Sequence, residues 1–196
     1  MPHPVDHIIE RIQISPELEQ SIRDLMIERR YNRGDTISRR LDMRNYTFYI
    51  QHGAARVYYI AGGREHTFSF AIDDQFVSLA NRLLNTPDSV MVIEFLEPTT
   101  VLFIPHAQMH ATMEEFRSSH DEEMSLFVIT ALLEHQKILE ERLIMLQTAN
   151  AVKRFEWFQR RYPRILERAT ITQIASFLGV TKETLYRIRS GKYIKK

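Results

Sequence analysis

The stretch from Thr170 to Ser190 reads T-I-T-Q-I-A-S-F-L-G-V-T-K-E-T-L-Y-R-I-R-S. Thr170 can cap a helix, and Gln173, three residues on, can answer back to it, which makes a capping box. Ile174, Ala175 and Leu178 then fall on one face, and Gly179 stands where the helix needs a left-handed residue to stop. Val180 plugs the gap that follows. Thr181 caps a second helix whose inward positions are Leu185 and Ile188. A bulkier side chain at Ala175 would hold the two helices apart. Alanine, glycine four residues later, and apolar residues six and nine beyond the glycine suit two short helices crossing steeply. This spacing predicts a helix-turn-helix.

The second helix leaves Thr181, Lys182, Glu183, Tyr186, Arg187 and Arg189 pointing outward, with Lys192 just beyond it. Arginine or lysine can pair with guanine in the major groove, and glutamate can accept from cytosine N4. The remaining cations, with Lys195 and Lys196, suit backbone phosphates. The charge distribution points the same way. The whole chain of 196 residues carries a net charge of +1, but residues 149–196 alone carry +9 and residues 1–148 carry −8. A basic quarter on an acidic body is the footprint of a phosphate-binding module attached to something else. A helical hairpin with a solvated basic face is the plainer alternative.

Upstream, residues 118–147 contain neither glycine nor proline and keep a helical period. Leu132, Leu139 and Leu146 lie seven apart, with Ile129 and Leu143 filling three- and four-residue steps beside them. A second stripe, Met124, Ala131, Ile138 and Met145, is offset by one residue, or about 100° around the helix. One stripe can pack on the protein's own body, and the other then needs a partner. A helix of about 30 residues is about 45 Å long, more than a domain of this size can bury, so a parallel second copy is expected. A shorter helix from Ala149 to about Arg161 is stopped by Tyr162-Pro163.

Between Thr36 and Pro105 the texture is different. Short β-branched and aromatic runs, Tyr46–Gln51, Ala55–Ile60, His66–Ala71, Val90–Leu96 and Val101–Ile104, are separated by turn residues. Such even spacing predicts a β-sandwich or roll. Residues 81–84 read as one helical turn inside it. Residues 5–30 read as helical throughout, with Ser15-Pro16 opening a second helix. The expected organisation is α+β: a β-roll with flanking helices over residues 1–117, a dimerisation helix over 118–148, and a helix-turn-helix domain over 149–196.

No run of apolar residues approaches membrane-spanning length, and the N-terminus has no signal-peptide pattern, so a cytoplasmic location is expected. The absence of cysteine removes disulfides and thiolate chemistry. His106 and His110 have a ligand spacing, but no third ligand is near in sequence, so neither a metal nor a cofactor is expected. His52 and His66 lack the His-x-His pattern of a metal-binding roll. Tyr58, Tyr59, Phe68 and Phe70 read as core. With no triad, P-loop or dinucleotide fingerprint, the chain does not read as an enzyme.

Taken together, this order resembles the Crp/Fnr superfamily of transcription regulators over essentially the whole chain. I-A-S-F-L-G-V-T (174–181) and L-Y-R-I-R (185–189) look like the helix-turn-helix of the branch common in Bacteroidetes. R-G-D (33–35), Tyr49 to Gly53, R-V-Y-Y-I (56–60) and G-R-E-H-T-F-S-F (63–70) look like its successive strands. The resemblance implies a homodimer on palindromic DNA, and it admits RNA polymerase as a further partner. By analogy with recognition helices reading Ser/Thr-Arg-Glu-Thr-x-x-Arg, the matching residues are Lys182, Glu183 and Arg187. Lysine for arginine weakens a bidentate guanine contact.

Two departures from the family follow. Members that bind cyclic AMP carry Phe-Gly-Glu and then Arg-x-Ala around the ribose and phosphate. Here Phe76 is followed by Val77 and Ser78, and the later positions fall on Ser89, Val90 and Met91. A buried phosphate facing serine and methionine is poorly compensated, and Arg82 is the one nearby cation that could reach in. Phe76, Ser78, Arg82, Ser89 and Met91 are thus the candidate ligand residues, for an effector other than cyclic AMP. Secondly, after Ser190-Gly191 only five residues remain, too few for the family's β-hairpin wing. That leaves open an effector-sensing or protein-interaction module whose helix-turn-helix no longer grips DNA.

Overall fold

A computed structural model describes residues 15–38, 46–77, 90–116 and 121–192. Ser15 caps the first described helix, α1 (Pro16–Asp24), by accepting from the amide of Leu18, and Pro16 occupies its first turn. Leu18 and Ile22 on its inner face are fully buried. Among the described residues eight strands follow: β1 (Ile27–Tyr31), β2 (Thr36–Ser38), β3 (Tyr46–His52), β4 (Ala54–Ala61), β5 (Arg64–Ile72), β6 (Gln75–Val77), β7 (Val90–Phe95) and β8 (Thr99–Pro105). Thus the helical reading of residues 5–30 fails at its end. Ile27–Tyr31 pairs antiparallel with Phe103–Thr99, because backbone pairing with β8 outweighs the three- and four-residue apolar step that Met26 continues. Residues 5–14, and the helical turn expected at 81–84, lie outside the described residues.

The strands form two antiparallel four-stranded sheets, ordered β1-β8-β3-β6 and β2-β7-β4-β5. Side chains alternate across a strand, and the odd positions of β4 (Ala55, Val57 and the partly buried Tyr59) enter the core between the sheets. They meet Ile37, Phe48, Ile50, Met91, Ile93, Phe95, Val101 and Phe103 there. The even positions, Ala54, Arg56 and Tyr58, point the other way, yet they too are buried. A strand buried on both faces requires a second layer over the outer one.

That layer comes from the C-terminal helices. After α2 (His106–Phe116) and the long α3 (Asp121–Thr148) come α4 (Ala151–Arg161), the single turn α5 (Ile165–Arg168), α6 (Ile171–Leu178) and α7 (Lys182–Arg189). Ala54, Phe70 and Leu96 of the roll belong to one hydrophobic cluster with Phe155, Phe158, Tyr162, Ile165, Ile174, Phe177, Leu178 and Leu185. The ring of Phe70 lies 5.8 Å from Phe158 and 5.2 Å from Phe177. Polar contacts ring this cluster. Arg168 pairs with Glu97, and Arg164 pairs with Asp73 and, at 3.6 Å, with Glu97. Gln173 reaches Glu94, which also pairs with the buried Arg56. Among the described residues no helix is long and apolar enough to cross a membrane.

Candidate nucleic-acid interface

The helix-turn-helix is built as its sequence predicts. Thr170 Oγ1 accepts from the amide of Gln173 at 3.3 Å, and Gln173 Oε1 accepts from the amide of Thr170 at 2.8 Å, which closes the capping box. At the other end of α6, Gly179 adopts φ 64° and ψ 37°, a left-handed conformation open to glycine at little cost. The amide of Val180 then donates to the carbonyl of Ala175 at 3.0 Å, satisfying one of the orphan acceptors of a helix end. Thr181 Oγ1 accepts from the amide of Thr184 at 3.1 Å and starts α7. Ile174, Ala175, Leu178 and Leu185 are buried and Ile188 half-buried, so the two helices share one apolar side.

The opposite side of α7 faces solvent. Thr181, Lys182, Glu183, Tyr186, Arg187, Arg189 and Lys192 are all exposed, Tyr186 by 58%. Lys182 Nζ lies 3.9 Å from Glu183 Oε1, a long pair between exposed groups that binds neither firmly. The face therefore presents cations, one carboxylate and one aromatic edge without being folded back on the protein. Lys195 and Lys196 lie outside the described residues.

The basic surplus of the C-terminal quarter is not all displayed here. Arg164 and Arg168 are held by Asp73 and Glu97 of the roll, and Arg154 donates to three backbone carbonyls. Sequence charge counting could not separate these structural cations from those on α7, because their partners lie 67 to 91 residues away along the chain, or on the backbone. The apolar Ala54 and Tyr58 at even positions of β4, in a strand whose odd positions are also apolar, were the available signal that the sheet's outer face is covered.

On α3 the expected dimer residues divide. Leu132 is 63% exposed, whereas Ile138, Leu139, Met145 and Leu146 are half-buried within the protein's own fold. The side chains of Met124 and Ala131 lie outside the description. Leu126, Ile129, Leu133, Leu143 and Ile144 are exposed as well. Leu126, Ile129, Leu133 and Leu143, with the exposed Gln136, Glu140 and Gln147, form a seam at alternating three- and four-residue steps, and Ile144 flanks it; Leu126, Leu133 and Ile144 carried no weight in the sequence reading.

The candidate ligand residues are only partly placed. Phe76 sits on β6, half-buried, its ring edge-on to Tyr49 at 4.8 Å. Met91 sits on β7 opposite Tyr59, in the core between the sheets. Ser78, Arg82 and Ser89 lie outside the described residues. His106 Nε2 is 3.1 Å from Thr47 Oγ1, and the ring of His66 stacks on Tyr59 at 5.0 Å.

Residues 28–116 match the family model of the cyclic nucleotide-binding domain. No curated protein sequence matches the chain. Solved structures do. A protein from Eubacterium rectale, described as a transcriptional regulator of the Crp/Fnr family, superposes with a TM-score of 0.67 at 17% identity, over 96% of this chain and 86% of that one. FixK2 from Bradyrhizobium japonicum gives 0.65 at 20% identity, over 85% and 83%. CLP, the c-di-GMP-responsive global regulator of Xanthomonas campestris, gives 0.65 at 12%, over 90% and 91%. The chain shares the fold of these structures. In it, the domain match covers the roll from β1 to the end of α2, and the coverage of whole chains takes in the long helix and the helix-turn-helix as well. Identities of 12 to 20% carry the shared fold and nothing finer.

Proposed function

We propose that this protein is a homodimeric, sequence-specific DNA-binding transcription regulator of the Crp/Fnr superfamily, of the branch common in Bacteroidetes. The observation that carries the reading is the solvent-facing side of α7, where Lys182, Glu183, Tyr186, Arg187 and Arg189 follow a capped turn on a helix whose other side is buried. Two chains pair along the exposed seam of α3 and place two copies of α7 about one DNA turn apart, on an approximate palindrome. The roll is a degenerate cyclic-nucleotide-binding domain, without the glutamate and arginine that would hold cyclic AMP. An effector of another kind, bound in the roll, shifts the balance between two dimer states. The units are the roll (residues 1–117), the dimerisation helix (118–148) and the DNA-binding domain (149–196), with RNA polymerase as a further partner at promoters.

The test is selection of binding sites from random and genomic DNA, with and without cyclic AMP. Enrichment of palindromes, unchanged by cyclic AMP, is the expected result. Lys182→Ala and Arg187→Ala should each lower affinity by about 1–3 kcal/mol for a base contact, or flatten the salt dependence by about one phosphate contact. Should neither variant change affinity for any nucleic acid, the helix-turn-helix belongs to a protein-interaction module instead.

A further inference from the structure

The turn of the helix-turn-helix is gripped from the long helix. Arg142, on α3, lays its guanidinium over the ring of Phe177, 4.5 Å from the centroid. From Nη2 and Nε it donates to the carbonyl of the same residue at 3.1 and 3.4 Å. Arg154, on α4, donates from Nη1 to the carbonyl of Leu178 at 3.2 Å, from Nη2 to Leu146 at 2.6 Å and from Nε to Ala149 at 2.8 Å. Phe177 and Leu178 are the last two residues of α6. Their carbonyls are among those a helix end leaves without an intrahelical donor, where the helix dipole is negative. Two cations therefore sit on the terminus that leads into α7.

The approach is close. A Cβ added to Gly179 would come within 3.3 Å of Leu146 Cδ2 and 3.6 Å of Arg154 Nη1, so the turn lies directly against the end of α3. Burial lowers the pKa of Arg142 from its ordinary value, while the phenol groups of Tyr162 and Tyr59 oppose the shift. Tyr59 belongs to the roll, Tyr162 follows α4, and Phe177 ends α6. Arg142 thus stands where the long helix, the sheet and the helix-turn-helix meet. The aromatic cluster supplies adhesion between these parts, but apolar contact is non-directional. A planar fork bound to one carbonyl and stacked on one ring fixes rotation as well.

We propose that Arg142, with Arg154 beside it, is a positioning residue that sets the angle of α7 relative to α3, and thereby the half-site separation that the dimer selects. This rests on the DNA-binding dimer argued above. Arg142→Met keeps the apolar stem and removes the donors, and Arg142→Lys keeps the charge without the fork. Both are tested by binding to a single half-site and by selection from paired half-sites with variable spacers. We expect the wild type to concentrate on one spacer. Arg142→Met should bind the single half-site as the wild type does, yet lose about tenfold or more of its spacer preference, as removal of charge-assisted bonds implies. Arg142→Lys should fall between. Strict spacer preference retained in both variants overturns the proposal.

A readout without DNA separates this failure from failure of the functional reading. The chain contains no cysteine, so Ser190→Cys carries one spin label per protomer. The distance distribution between the two labels should be narrow in the parent and broad in Arg142→Met or Arg142→Lys. Unchanged distributions overturn the clamp, even where the wild type selects no paired sites, a result that would count against DNA binding alone.

Discussion

The hydroxyl of Ser176, on α6, accepts a hydrogen bond from the backbone amide of Thr67, on β5, at 2.9 Å. Residues 109 apart in the chain thus join the first helix of the helix-turn-helix to the outermost strand of a sheet. Thr67 lies at an irregularity in the β4–β5 ladder, between its pairing with Tyr58 and that of Ser69 with Val57. It is 2% exposed, so its amide needs a protein partner. Ser176→Ala should therefore cost about 1–3 kcal/mol, the penalty of leaving a buried donor unmet. Urea denaturation checks this, and an unshifted midpoint would mean that the amide finds water.

The shared aromatic cluster predicts that the roll and the helix-turn-helix unfold as one unit. Trp157, the only tryptophan, stacks on Phe177 with ring planes 9° apart and reports on the helical side. Its fluorescence and the far-UV circular dichroism should change together in urea. Phe70→Ala opens a cavity on the sheet side of the cluster and should cost about 3–5 kcal/mol. Separate transitions for the two signals in the wild type would show that the cluster does not couple the units.

Ile129 and Leu133 lie one turn apart on the exposed side of α3. A charge at either position would be desolvated in a paired seam but harmless on a free helix. Sedimentation equilibrium should show Ile129→Glu and Leu133→Glu as monomers whose circular dichroism matches the parent. If both remain dimers, the chains associate through some other surface.

Alkaline stability should depend on Tyr162. Burial holds its phenol above the ordinary value of about 10, with Arg161 and Arg142 opposing. The folded protein then keeps a proton that the unfolded chain gives up. This contribution is fully present below about pH 10 and is lost as the pH rises through the folded value. Tyr58 is raised for the same main reason, burial, so it adds a slope of the same sign. Urea midpoints measured from about pH 9 to 11 should fall less steeply in Tyr162→Phe than in the wild type. Parallel slopes would show that this phenol ionises no differently in the two states.

Much of this protein is local, and was legible without coordinates. The capping box at Thr170 and Gln173, the left-handed Gly179 and the cap at Thr181 satisfy their own neighbours within a few residues. Strand runs such as Tyr46–Gln51 and Ala55–Ile60 came within a residue or so of β3 and β4, because alternation and turn residues mark both ends. Where local and distant pairing compete, as at Ile27–Tyr31, the sequence reading erred, since only β8 decides that segment. Which stripe of α3 is exposed stayed open for a related reason: two apolar stripes offset by about 100° are equivalent until something packs on one of them.

The sequence by itself determined strands β3, β4, β5, β7 and β8, helices α3, α4, α6 and α7, and the outward face of α7, all of which follow from periodicities, turn residues and caps acting over a few residues. The tertiary structure alone decided which surfaces meet. Phe70 faces Phe177 instead of the roll's interior, Arg164 and Arg168 answer Asp73 and Glu97, and Arg142 holds the end of α6. Such pairings join residues tens of positions apart, and a periodic pattern records that a side chain is to be buried, but not against what.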